Sequence, residues 1–125
     1  FGYSVITGQI VYNGANASGV FGNTQYNTGN SSLLAGRQHI NTQMDAFLAG
    51  MGHDTSNAAR YVSAVGRWSS LTSSTLFAVG NGSSHTARLN AFEVTSDGGI
   101  VLRSPGGTRY KITVDNNGNL QTASM

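Results

Sequence analysis

A glycine returns along this chain at a nearly constant interval, each time closing a short run of small or apolar residues. Ser4-Val5-Ile6-Thr7-Gly8, Ser18-Gly19-Val20-Phe21-Gly22 and Ser32-Leu33-Leu34-Ala35-Gly36 align without gaps. So do Ala46-Phe47-Leu48-Ala49-Gly50, Val62-Ser63-Ala64-Val65-Gly66 and Leu76-Phe77-Ala78-Val79-Gly80. The six glycines are 14, 14, 14, 16 and 14 residues apart, and Ala91-Phe92-Glu93-Val94-Thr95 follows 15 residues later with Thr95 in the glycine slot. Random placement of 17 glycines would rarely give this series, so the chain is a repeat protein. The period is too short for helix-pair repeats of about 33–47 residues or leucine-rich repeats of about 20–29. It suits a coil of two short strands and two turns, with equivalent positions stacked about 4.8 Å apart in parallel ladders.

Alternate residues of a strand face opposite ways. Two positions before the glycine stand Ile6, Val20, Leu34, Leu48, Ala64 and Ala78. The flanking positions hold Phe21, Leu33, Ala35, Phe47, Ala49, Val65, Phe77 and Val79. Both faces therefore ask for burial, which one thin coil cannot provide, and association of copies is expected. The half-coil after each glycine is more polar but keeps the period: Tyr12, Tyr26 and Ile40 recur four positions on, and Asn13, Asn27 and Asn41 five positions on. That detail blurs in Asp54-Thr55, Ser70-Leu71 and Ser84-His85. Gly8, Gly22, Gly36, Gly50, Gly66 and Gly80 are expected at a corner, supplying positive φ or close backbone approach. Residues 41–51 and 56–65 carry helix-forming Ala, Met, Leu and Arg, yet the repeat register runs through both and favours strands.

From Ala91 the pattern changes to short alternating runs between turn clusters: Ser96-Asp97-Gly98-Gly99, Ser104-Pro105-Gly106-Gly107 and Asp115-Asn116-Asn117-Gly118. The chain thus divides into a repeat roll over residues 1–90 and an antiparallel β-meander over 91–125 that covers the end of the stack.

Charged residues make up only 10% of the chain, against about 25% in ordinary soluble domains, and Lys111 is the single lysine. This composition suits an extracellular or virion surface. The absence of cysteine removes disulfides and thiolate metal sites. The seven basic residues are scattered rather than gathered into a stripe, against nucleic-acid binding. No run approaches the roughly 20 apolar residues of a membrane-spanning helix. Phe1 opens the chain without a signal-peptide pattern, as in a piece of a longer protein.

Chemistry-bearing residues are few. Asp45 and Asp54 flank Gly50 and read as solvated turn residues rather than a glycosidase pair; no Ser-His-Asp order or nucleophile elbow is present. No catalysis and no cofactor are expected. Trp68, the only tryptophan, follows Arg67 and suits sugar or protein contact, although filling space between subunits suits it slightly better. With Arg67, Tyr61, His53 and Asp54 it makes up the candidate receptor-contact set.

The Ser-x-x-x-Gly and Phe-Ala-Val-Gly units resemble the head repeats of trimeric autotransporter adhesins. Residues 76–82, 90–94 and 97–99, and the closing run from Gly107 to Leu120, also resemble the distal parts of bacteriophage tail fibres and tailspikes. The resemblance implies a left-handed parallel β-roll, a homotrimer, and attachment to a host-surface glycan or outer-membrane protein by a virion component. It carries over no receptor residues. Bulky Phe21, Phe47, Phe77 and Trp68, and a meander in place of a coiled-coil stalk, favour a fibre tip over a bacterial adhesin head; a ligand-free shaft segment is the other reading. On a threefold axis His39 and His53, each three positions after its glycine, would gather into a metal site. Without a supporting carboxylate pattern they read as polar surface, and no metal is assigned.

Overall fold

The computed structural model describes residues 4–125 and is all-β, with no helix among them; Phe1 lies outside the described residues. Seven strands make the repeat region: β1 (Ser4–Asn13), β2 (Ser18–Asn27), β3 (Leu33–Arg37), β4 (Ile40–Asn41), β5 (Phe47–Met51), β6 (Ser63–Arg67) and β7 (Thr75–Asn81). They stack in parallel in the order β1-β2-β3-β5-β6-β7, with the two-residue β4 paired to the second half of β2. The segments with helix-forming composition are strands β5 and β6 and the loops around them. The register is that of the sequence repeat. Gly8 pairs with Gly22, Gly22 with Gly36, Gly36 with Gly50, Gly50 with Gly66 and Gly66 with Gly80. The architecture is a β-solenoid. The 16-residue interval is absorbed between Thr55 and Tyr61, where Ala58 tucks into the core and the ladders on either side stay in step.

The glycine column explains why the register cannot slip. Gly22, Gly36 and Gly50 have φ of 125°, 126° and 115°, and a Cβ on any of them would overlap the carbonyl oxygen of the glycine on the next coil. Each glycine lies within the paired run and bends it, rather than sitting in a separate turn. The bend is completed two residues later by a left-handed residue: Thr24, Gln38, Gly52 and Trp68, with φ of 52°, 59°, 71° and 44°. A second left-handed column, Ala17, Ser31, Asp45 and Tyr61 (φ 51°, 55°, 57° and 65°), forms the opposite corner. These positions strain a side chain by about 1–2 kcal/mol each. They persist because their amides are tied to another coil, as in Ser31 N–H to Asn16 O (3.0 Å) and Trp68 N–H to Met51 O (2.8 Å).

Four columns point inward. Val20, Leu34, Leu48, Ala64 and Ala78, two before the glycine, are fully buried, and Ser18, Ser32, Ala46 and Val62 lie beside them. The other two columns come from the polar half-coil: Gln25, His39, His53 and Ser69, then Asn27, Asn41, Thr55 and Leu71. Hence the core is apolar on one wall and hydrogen-bonded on the other. Asn27 Nδ2 donates to Asn13 Oδ1 (3.0 Å), Asn41 Nδ2 to Asn27 Oδ1 (2.9 Å) and Thr55 Oγ1 to Asn41 Oδ1 (2.8 Å), so each Oδ1 of this ladder takes a donor from the next coil.

After β7 the strand direction reverses. β8 (Asn90–Thr95), β9 (Ile100–Arg103), β10 (Arg109–Val114) and β11 (Leu120–Ser124) continue the same sheet antiparallel. Glu93 sits opposite Ala78 and closes the end of the core. Its buried carboxylate takes hydrogen bonds from Thr75 Oγ1 (2.7 Å), Asn90 Nδ2 (3.2 Å) and Arg109 Nη2 (2.9 Å). The other side of the sheet is apolar. Phe21, Leu33 and Phe47 are each about 40% exposed there. The strand register carries the face on through Phe77, Val94, Phe92, Leu102, Ile100, Tyr110 and Ile112.

Candidate functional site

Past the glycine corner, the polar half-coils present a second surface built on positions two and four after the glycine. Tyr12 and Tyr26 stack there at 4.9 Å between ring centres and 12° between planes, and Ile40 follows in the same column. All three are largely exposed. Beside them opens a cleft of about 420 Å³ lined by Tyr12, Thr24, Gln25, Tyr26, Gln38, His39 and Ile40. The period alone places these side chains: equivalent residues of successive coils lie in line, and the left-handed Thr24 and Gln38 turn the chain so that Tyr26 and Ile40 point out while Gln25 and His39 point in.

The floor of this surface is the Gln25–His39–His53–Ser69 column. Gln25 Nε2 donates to Phe21 O (2.6 Å) and Gly36 O (3.1 Å). His39 and His53 repeat the first bond through Nε2, to Ala35 O (3.1 Å) and Ala49 O (3.0 Å). A carbonyl only accepts, so each imidazole carries its proton on Nε2 and uses Nδ1 as an acceptor. His39 Nδ1 takes the His53 N–H (3.3 Å), and His53 Nδ1 takes the Ser69 hydroxyl (2.7 Å). The rings stack 5.1 Å apart and 4° from parallel. Burial pushes both below the usual histidine range, His53 down to about 4, with the neighbouring His39 and Arg88 opposing its charge further. Both are neutral at physiological pH.

This placement changes the part given to the histidines. Neither is polar surface, and neither faces an axis outside the coil, because their nitrogens are committed to partners within it. Among the described residues no group of three or more His, Cys, Asp or Glu is arranged around a common point for a metal ion. His53, fully buried, is therefore no contact residue.

The other members of the contact set are dispersed. Arg67 and Trp68 lie at the first corner of the last coils. The Trp68 ring covers Gly52, where no side chain would fit, and Arg88 lies over it at 5.4 Å while donating to Gly52 O (2.7 Å). Trp68 is thus packed as part of the end of the stack, with His85 6.4 Å from its ring. Tyr61 stands at the opposite corner under Arg60, which also pairs with Asp45 at 3.3 Å. Asp54 follows Ile40 in the exposed column and accepts from Ser56 N (2.9 Å). The sequence signal of the cleft is the recurrence of Tyr12, Tyr26 and Ile40 at the repeat period, which no single residue carries. No protein-family model matches the chain, and no curated protein or solved structure matches it either.

Proposed function

We propose that the chain is an attachment module of a viral fibre, in which three copies pack side by side and bind a host cell-surface receptor without catalysis. The observation that carries this reading is the uncharged, apolar outer face of the sheet, continuous from β2 to β10. In the meander the usual distribution is inverted: Glu93, Val101 and Lys111 share the inner side, while Phe92, Leu102, Ile100 and Ile112 look outward. Eight strands at about 4.8 Å spacing make a strip roughly 34 Å long, more than a solitary chain usually leaves wet. Further copies offer the same strip, and closed symmetry satisfies it without open-ended growth. The threefold state, the left-handed coil and the virion setting come from the likeness of the repeats to adhesin heads and fibre ends. Each copy contributes its own cleft, so weak contacts combine by avidity.

Light scattering after size exclusion tests the reading. Three times the chain mass is expected, falling to the chain mass when Leu33→Lys and Phe47→Lys are introduced together. A wild-type monomer at micromolar concentration would overturn it.

A further inference from the structure

Resting on that attachment reading, we infer that the cleft over the first three coils is the receptor site and that its ligand is a neutral saccharide. The cavity falls within the roughly 300–1,000 Å³ of small-molecule sites. Gln25, only 3% exposed, lines it, and its Oε1 is buried and accepts no hydrogen bond among the described residues. Buried acceptors are ordinarily satisfied. One and two coils further on, the acceptors of this column are taken: His39 Nδ1 by the His53 amide and His53 Nδ1 by Ser69. Within this column the open acceptor therefore belongs to Gln25, a residue that lines the cleft.

The lining carries no formal charge. It holds tyrosines, Thr24, Gln38, Ile40 and a histidine whose two nitrogens are already engaged. An acidic or basic ligand would lose its hydration without a countercharge. A pyranose ring instead offers an apolar C–H face to Tyr12, Tyr26 and Ile40 and hydroxyls to Gln25, Gln38 and Thr24. An extended peptide fits less well, because the strand addition it would use needs open backbone groups. Here Tyr26 N–H already donates to His39 O and Ile40 N–H to His53 O, both at 2.9 Å. The cleft also lies around the corner from the apolar strip, so association through that strip leaves it open.

Isothermal titration of the full chain with short oligomers of glucose, galactose and mannose, and with an acidic oligogalacturonate, tests the inference. Three variants accompany the wild type. Ile40→Asp puts a charge into the cleft where Asp54 is tolerated one coil on. Gln25→His keeps the bond to Phe21 O as His39 keeps its own, and commits the remaining nitrogen to the next amide. Asn116→Ala lies in the turn between β10 and β11, away from the cleft. Binding of a neutral oligomer is expected, weakened about ten-fold or more by each cleft variant and unchanged by Asn116→Ala. Tyr12→Ala replaces either cleft variant that loses the circular dichroism of the wild type. Three results overturn the site or its chemistry while leaving attachment standing, each read beside adsorption of labelled protein to bacterial cells. They are saccharide binding indifferent to the cleft variants, binding of the acidic oligomer alone, and cell adsorption that neutral saccharides and purified surface polysaccharide fail to compete. Absence of both adsorption and saccharide binding would sink the attachment reading and this inference together.

Discussion

Acidification should unfold this protein in a window set by His53. Its folded pKa is about 4 against an ordinary 6.5. The unfolded chain therefore takes up a proton first as pH falls, and the native state is penalised for staying neutral. The contribution is complete above pH 6.5, is lost progressively as pH falls towards 4, and changes no further below that. The interval of 2.5 (6.5 minus 4), at 1.36 kcal/mol for each pH unit, amounts to about 3 kcal/mol. This is a large part of the roughly 5–15 kcal/mol that holds a domain together. His39 is shifted the same way by burial and adds to the loss. The exposed carboxylates Asp97, held to about 2 chiefly by the hydrogen bond from Lys111, and Asp115, lowered by the Asn119 amide, titrate below this window. Urea unfolding followed by circular dichroism, at one protein concentration and stepped between neutrality and pH 4, reads the slope. The decisive variant is His53→Gln, because Gln25 already makes the equivalent bond to a carbonyl four residues back. It should keep the neutral-pH fold and flatten the curve by about 3 kcal/mol. A wild-type midpoint that does not move between 6.5 and 4, or a variant with the wild-type slope, would refute the buried neutral tautomer on which the reasoning rests.

Two further outcomes follow from the corners. Gly36→Ala forces a Cβ against the Gly50 backbone at a φ of 126°, and a loss of about 3–5 kcal/mol or failure to fold is expected in the same unfolding assay; a loss under about 1 kcal/mol would mean the coils can separate there. Ser31→Gly should instead stabilise by about 0.5–1 kcal/mol. Relief of the left-handed strain outweighs the added chain entropy, and its φ of 55° and surface position leave little else to lose. A lower melting temperature would argue against the strain.

Much of the solenoid is legible in the residues themselves. The glycine interval sets the stacking partners, since only aligned glycines let backbones approach at that corner, and the position two before glycine marks the apolar wall because strand alternation admits one inward column there. The stacked tyrosines were also readable, as an aromatic recurring at the repeat period. The polar wall was not. Hydropathy sends Gln25, His39, His53, Asn27 and Asn41 outward, yet the structure buries all five. At each corner the carbonyl of the residue before the glycine (Phe21, Ala35, Ala49) needs a donor, and the side chain four residues on supplies it. That demand exists only once the backbone has turned the corner. The cleft belongs to the same level, since Tyr12, Tyr26 and Ile40 lie 14 residues apart and share a surface only because the coils stack. Sequence alone determined the period, the coil and one face of the core. Tertiary structure decided which polar side chains lie inside, because their partners are backbone groups that no residue type reveals.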